Sequence, residues 1–225
     1  MNSSIWIVVP AYNEAVRIST TLQTLLPLYA QVVVVDDGSR DETSQAAHEA
    51  GAWVLRHPVN CGQGAALQTG MQFALRQGAD YIVTFDADGQ HDPAEIEKLL
   101  EPLRTGRADV ALGSRFLGST INMPWTRRLI LQAGVLFTRI VSNIRVTDAH
   151  NGFRALTREA ASQIRLVQDR MAHASEILDQ IRMLQLSYEE VPVTIRYTVE
   201  TLAKGQNSMQ ALKIAGELLL GRMIK

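Results

Sequence analysis

Short, unbroken apolar runs alternate with stretches of helical periodicity through the first half of the chain. Ile5-Trp6-Ile7-Val8-Val9, Val32-Val33-Val34-Val35, Trp53-Val54-Leu55, Tyr81-Ile82-Val83-Thr84-Phe85 and Val110-Ala111-Leu112 read as five strands. Their β-branched content and lack of polar alternation predict strands covered on both faces. Helical spacing between them predicts helices over 14–26, from a Ser39 or Asp41 cap to about residue 50, over 64–76, and from Pro93 in a first turn to about 103. Pro10 is expected to stop the first strand. The second half is less regular. A helix is predicted over 127–143, then a polar segment, 147–151, that runs into Gly152-Phe153-Arg154-Ala155-Leu156. A helix over 174–184 and a strand over 188–195 follow, the strand at a sheet edge because Pro192 cannot serve a central ladder. Near the C-terminus Leu212, Ala215, Leu219 and Met223 recur at helical spacing, widened by Ile214 and Leu218, and predict an amphipathic helix. No repeat and no Pro/Gly/Ser-rich linker divides the chain, so one domain over 1–205 and a C-terminal helix over 206–225 are expected.

Alternating strands and helices predict an α/β fold, a mainly parallel sheet flanked by helices. Ligands bind such sheets beyond the carboxyl ends of the strands. Asn13 and Glu14 follow the first strand, Asp36 and Asp37 end the second, and Asp86 and Asp88 end the fourth. All are expected on one rim, where so many carboxylates repel unless a cation shares the site. In Phe85-Asp86-Ala87-Asp88-Gly89-Gln90-His91 the two aspartates at i and i+2 face one ion if the chain turns there. Hard oxygen ligands suit Mg2+ or Mn2+, which bridge diphosphate oxygens. Gln90 offers another oxygen and His91 is a weaker candidate. The same residues also suit a solvated turn, and their place after an apolar strand favours the metal. Asp36-Asp37-Gly38-Ser39 reads either as a capped turn or as a carboxylate for the base or ribose of a nucleotide. Asn60-Cys61-Gly62-Gln63-Gly64 opens a helix with small residues that let backbone approach a ligand. The dinucleotide fingerprint and the lysine of a P-loop are both missing.

Composition narrows the partners. The 225 residues carry a net charge of −1, with a pI near 6.5, which argues against non-specific nucleic-acid binding. Cys61 is the only cysteine, so an intrachain disulfide is excluded and a reducing compartment fits. The run at 5–9 is too short for a signal peptide and has no basic lead. The most apolar stretch, 129–141, is broken by Gln132 and Arg139 and falls short of the ~18 residues of a membrane span. A cytoplasmic protein is expected, soluble or peripheral on the inner face of the cell membrane.

Val9-Pro10-Ala11-Tyr12-Asn13-Glu14, Val35-Asp36-Asp37-Gly38-Ser39, Asn60-x-Gly62-x-Gly64 and Asp86-Ala87-Asp88, in that order, resemble glycosyltransferase family 2 and its GT-A fold. The likeness is to the dolichol-phosphate mannose synthase and polyprenyl-phosphate glycosyltransferase branch. Gly113-Ser114-Arg115, Gly152-Phe153-Arg154 and Glu190-Val191-Pro192 extend it to about residue 200. The resemblance implies a metal-dependent, inverting enzyme that moves a hexose from a UDP- or GDP-sugar to polyprenyl phosphate or a cell-envelope glycan. It implies that Pro10, Tyr12 and Glu14 line the nucleotide pocket, with Asp37 near the base and Asn60, Gly64 and Ala87 also against the donor. Asp86, Asp88 and Gln90 would hold Mg2+ or Mn2+, and Arg115 with Arg127 or Arg128 would approach phosphates. Arg154, Arg196 and Lys204 would face the acceptor, and Asp148 and Glu176 are candidates for acceptor contact or general base. A sugar hydroxyl needs such a base, whereas an ionised phosphate does not.

Two departures bear on the acceptor. The branch often carries Gly-x-Ser-Lys after the edge strand, where this chain reads Gly205-Gln206-Asn207-Ser208-Met209. The hydrophobic C-terminal helices of membrane-embedded relatives are replaced by the amphipathic tail. That tail is expected to dock on the chain's own body, on a homodimer partner, or on a membrane surface. Lys213, Arg222 and Lys225 favour the membrane and Glu217 opposes it. Competing functions are a nucleotidyltransferase, disfavoured by the lack of Lys or Arg in Pro10-Ala11-Tyr12-Asn13-Glu14, and a catalytically inactive sugar-nucleotide-binding protein, disfavoured by the intact Asp86/Asp88 pair.

Overall fold

The apolar runs become strands of one sheet. The computed structural model describes residues 3–142, 144–167 and 173–197. In chain order the elements are β1 (Ile5–Ala11), α1 (Ala15–Leu25), β2 (Val32–Asp36), α2 (Thr43–Glu49), β3 (Trp53–Arg56), α3 (Gln63–Arg76), β4 (Tyr81–Thr84), a 3-10 turn (Pro93–Glu95), α4 (Ile96–Arg104), β5 (Val110–Ile121), α5 (Trp125–Ser142), β6 (Arg154–Thr157), α6 (Arg158–Gln163), α7 (His173–Met183) and β7 (Tyr188–Arg196). The sheet order is β3-β2-β1-β4-β6-β5-β7. Every pairing is parallel except those of β6, which runs antiparallel to both β4 and β5.

Alternate strand residues feed two cores. Ile7, Val9, Val32 and Val34 pack with Ile18 and Leu22 of α1 and with Leu99 and Leu100 of α4. Trp6, Val8, Val33 and Val35 pack on the opposite face with Leu67 and Met71 of α3 and with Ile177 and Leu178 of α7. Burial on both faces is why these strands carry no polar alternation. Among the described residues, no helix is long and apolar enough to cross a membrane.

The structure departs from the expected elements at four places. Pro10 does not end β1, which runs to Ala11 with Pro10 opposite Val35 of β2. The last β4 contact is Phe85 N–H to the Val8 carbonyl, so the missing Pro10 N–H falls on the side where β4 has already diverged. β5 runs on to Ile121 because Ser119 and Thr120 pair with Thr194 and Ile195 of β7 beyond an irregularity between Ser114 and Ser119. β6 is four residues long, too short to show a period, and is defined by its two neighbours. α6 is likewise short. Edge strand β7 lies where Pro192 predicted it, opposite Ser114 at the start of the irregularity. The expected helix over 206–225 and the boundary at 205 lie outside the described residues.

Candidate active site

The turns after β1 and β2 are sewn together before any ligand is considered. Asn13 takes a left-handed backbone (φ 55°), which asparagine tolerates better than most residues. Its N–H donates to Ser39 Oγ at 2.9 Å, and its Oδ1 accepts from Arg40 N at 2.9 Å. Glu14 N–H donates to Thr43 Oγ1 at 2.9 Å and Ala15 N–H to Asp41 Oδ2 at 3.2 Å, so side chains of the second turn satisfy the open N–H groups of α1. Asp41 Oδ1 also accepts from Thr43 N, the first residue of α2, although the N-cap position falls on Glu42 and not on Ser39 or Asp41 as expected. Glu14 itself pairs with Arg17 at 2.9 Å, and Tyr12 stands exposed beside it.

The two aspartates that end β2 have different partners. Asp36 is fully buried and accepts from Ser39 N at 2.8 Å and from Ser44 Oγ, with Arg56 Nε 3.7 Å away. It pins the turn and does not join the rim. Asp37 reaches across to the loop before α3, accepting from Cys61 N at 2.9 Å and Gly62 N at 2.7 Å, with His57 Nδ1 at 2.7 Å. Gly38 (φ +72°) allows the turn and loop to meet backbone to backbone, since a Cβ there would lie 2.6 Å from the Val59 carbonyl carbon. Asn60 is exposed on this loop, while Gly64 is buried in the first turn of α3.

β4 ends at Thr84, and the acidic loop follows at once. Asp86 is held by Gln63 Nε2 at 3.1 Å and His91 Nε2 at 3.0 Å. Its carboxylate lies over Gly152, where a Cβ would stand 2.6 Å from Oδ2. Asp88 Oδ1 accepts from Gln90 N at 3.0 Å. The backbone is tied on both sides: the Ala87 carbonyl accepts from Thr21 Oγ1 of α1 at 3.1 Å, and the Gln90 carbonyl from Arg196 N of β7 at 3.0 Å. Burial pushes the Asp88 carboxyl above its ordinary pKa, and the Asp86 charge, with a smaller push from Glu14, adds to it against His91 and the Gln90 N–H. Glu14, Asp86 and Asp88 therefore share one electrostatic site, as their strand-end positions predicted. His91 stacks on Phe153 at 4.8 Å and meets Phe85 edge-on at 5.4 Å. The oxygen-rich donor set, crowded enough to raise a carboxyl pKa, fits a hard divalent cation.

The β5–β7 side is built from buried ion pairs. Arg115 Nε donates to Asp148 Oδ2 at 2.6 Å and Arg115 Nη1 to the Tyr197 hydroxyl at 2.6 Å. Burial is the largest single influence and works to lower the Arg115 pKa, but the charges and hydrogen bonds of Asp148 and Tyr197 together outweigh it and the net shift is upward. Arg127 lies over the Tyr197 ring at 5.0 Å, and Arg128 is exposed. Glu190 orients the segment by accepting from Thr147 N at 2.7 Å and Asp148 N at 3.2 Å. Arg154 is buried against the carbonyls of Asn151 (3.0 Å), Ala149 and Ala174. Burial pushes its pKa down to about 10, against the pull of Asp148 and Asp86. Glu176, in the first turn of α7, accepts from Val167 N with both oxygens, at 3.0 and 3.1 Å. Arg196 is exposed and 3.3 Å from Asp92, and Lys204 lies outside the described residues.

Glu14, Asp37, Asp86, Asp88 and Gln90 thus gather at the carboxyl ends of β1, β2 and β4. Asp148 and Arg115, which lies in β5, pair with each other on the neighbouring side of the sheet order. Four contributors were not singled out from sequence. Gln63 bridges the small-residue loop to Asp86, His57 holds Asp37, Tyr197 joins two arginines, and Glu190 orients Asp148. Gln63 sits at a variable position inside a quoted motif and Tyr197 one residue beyond the edge strand, so only proximity marked either.

A mainly parallel sheet with this acidic carboxyl rim is the architecture of a GT-A glycosyltransferase. The chain belongs to glycosyl transferase family 2, whose sequence model matches residues 6–165. It is 32% identical to the UDP-N-acetylglucosamine–dolichyl-phosphate N-acetylglucosaminyltransferase of Methanococcus voltae, over 98% of this chain and 97% of that one. It is also 32% identical to the undecaprenyl-phosphate mannosyltransferase of Micrococcus luteus, over 89% of this chain and 86% of that protein. Glucosyl-3-phosphoglycerate synthase from Mycobacterium tuberculosis, solved in complex with Mn2+ and uridine-diphosphate-glucose, shares the fold with a TM-score of 0.67 and 23% identity, over 90% of this chain and 74% of that one. The chain is a glycosyltransferase with polyprenyl-phosphate sugar transferases among its relatives.

Proposed function

We propose that the enzyme transfers a hexose, with inversion, from a UDP- or GDP-sugar to a polyprenyl phosphate, with a cell-envelope glycan as the other acceptor class. The observation that carries the reading is the crowded acidic pair: Asp88 holds its proton above the ordinary carboxylate range because it is buried and Asp86 stands beside it. A divalent cation is the natural partner of that charge, held by Asp86 and Asp88 with Gln90 as the further oxygen ligand. When bound there, Mg2+ or Mn2+ supplies Lewis-acid stabilisation of the negative charge that builds on the departing nucleoside diphosphate. Gln63 and His91 fix the orientation of Asp86, while Asp37 and Glu14 bound the nucleotide side of the same rim.

The state of the candidate bases supports the phosphate acceptor. Asp148 is committed to Arg115, and Glu176 accepts the Val167 N–H with both oxygens. An acceptor that arrives ionised needs neither, because its phosphate oxygen attacks the anomeric carbon as the bond to the leaving diphosphate breaks on the opposite face. Positioning and charge then carry the step. Arg127 at Tyr197, together with Arg128 and Arg196, supplies cations for the phosphates on this side, and Lys204, outside the described residues, remains the further acceptor candidate. The names of the Methanococcus and Micrococcus relatives support a polyprenyl-phosphate acceptor, and the Mn2+ and UDP-glucose in the solved neighbour support the donor. Contact with the inner face of a membrane through residues 206–225 belongs to the same reading. A homodimer through the same residues is the alternative use of their apolar spacing.

Thermal unfolding of the full chain against a panel of UDP- and GDP-sugars, with and without Mn2+, tests the donor and metal together. A ligand present at 100 times its Kd stabilises the fold by about 2.7 kcal/mol. A shift that requires both nucleotide-sugar and Mn2+ is expected. Equal shifts with and without metal would overturn the metal-dependent reading.

A further inference from the structure

A second cluster of metal-type ligands stands outside the acidic pair. Asp37, His57 and Cys61 each offer one ligand atom, and those atoms all lie within 4.8 Å of one another. We propose that these three residues form a site for one thiophilic divalent cation, of the Zn2+ type, separate from the oxygen-only site at Asp86 and Asp88. Thiolate and imidazole select Zn2+ over Mg2+ and Mn2+, so ligand chemistry keeps the two sites apart.

The surroundings prepare each ligand. Asp37 is fixed by the N–H groups of Cys61 and Gly62 at 2.9 and 2.7 Å, and its Oδ1 lies 2.7 Å from His57 Nδ1. On the far side of the imidazole, Nε2 is 2.9 Å from Thr69 Oγ1. A hydroxyl behind the ring in this way orients the imidazole, as hydrogen-bond partners of metal-binding histidines do. A bound cation would require the Nε2–H tautomer of His57, with the proton staying on Nε2 and donated as a hydrogen bond to Thr69 Oγ1. The Nδ1 lone pair then turns to the metal, and the Cys61 thiol loses its proton to solvent. Cys61 is half-buried, which gives the ion a path in, and the fourth position is left to water. Backbone contact between Gly38 and the Val59–Asn60 peptide holds the loop that carries Cys61 against the turn that carries Asp37.

Cd2+ titration of the metal-free full chain tests the site, since cadmium–thiolate bonds absorb in the ultraviolet and Cys61 is the chain's one cysteine. A band that saturates at one equivalent is expected. It should be displaced by Zn2+ but not by Mg2+, abolished in Cys61→Ser and kept in Asp86→Asn. His57→Ala and the near-isosteric Thr69→Val should weaken binding by about 10–100-fold. No band in the wild type, or wild-type affinity in both His57→Ala and Thr69→Val, would overturn the proposal by leaving at most a lone surface thiol. The competition that Zn2+ should show with the donor nucleotide rests on the proposed function. Unchanged nucleotide affinity beside a full Cd2+ band would overturn only the placing of the base near Asp37.

Discussion

The two halves of the rim manage charge in opposite ways. At the ends of β1 and β4, Glu14, Asp86 and Asp88 crowd together, and Asp88 carries the penalty in its raised pKa. Across β6 and β5, Asp148 is neutralised by Arg115, and Arg154 is sunk among backbone carbonyls. In the acidic half the carboxylates crowd Asp88 even though Glu14 pairs with Arg17 and Asp86 with His91, whereas in the other half the buried charges close on one another. The difference bears on where ligand charge would enter under the proposed function: a cation would complete the acidic half, while the β5–β7 half keeps its buried pair closed and leaves Arg127 and Arg128 outside it for an anion.

Removing a carboxylate from the first half should give the largest effect. Asp86→Asn or Asp88→Asn is expected to lower transfer by about 10³-fold or more, the equivalent of several kcal/mol of charge stabilisation. The metal-free melting temperature should hold or rise, because a source of repulsion is gone. Wild-type turnover in both variants would mean that the acidic pair is not the cation site.

Breaking the balanced half should instead cost folding. Arg115→Met leaves Asp148 buried without its counter-charge, at about 3–5 kcal/mol. For a chain of this size each kcal/mol lowers the melting temperature by about 2–4 °C. The double variant Arg115→Met/Asp148→Leu should recover most of the loss, as read by urea denaturation. Equal instability of the single and double variants would show that the pair is not what holds this side together.

The smallest effect is a pH dependence confined to the first half. Between the ordinary carboxylate pKa and the raised value of Asp88, the folded chain holds a proton that the unfolded chain has released. Asp88 therefore makes the metal-free protein less stable as pH rises through that window, by at most about 1.4 kcal/mol per pH unit. Saturating Mn2+ or Asp88→Asn should flatten the slope. A slope that persists in Asp88→Asn assigns the proton to another group.

The same contrast divides what could be read along the chain. On the acidic side the candidate carboxylates follow closely on apolar strands, so once the strands were found that part of the rim was found: Glu14 after β1, Asp37 after β2, Asp86 and Asp88 after β4. Asp36 looked equivalent to Asp37 and is not, because neighbouring strand-end residues point in opposite directions and Asp36 turns into Ser39, Ser44 and Arg56. On the other side the partners are far apart in sequence. Arg115 meets Asp148 and Tyr197, and Glu190 meets Asp148, across separations that no local pattern encodes.

The sequence by itself determined the parallel sheet, the helices that cover it and the acidic rim, because periodicity and strand ends are local properties of the chain. Tertiary structure decided β6, whose four residues are strand only by pairing with β4 and β5, and the tolerance of Pro10, whose missing donor faces a strand that has already turned away. It also decided which charged groups stay open to a ligand and which are closed on one another, since that depends on burial and on partners that only folding brings within hydrogen-bond distance.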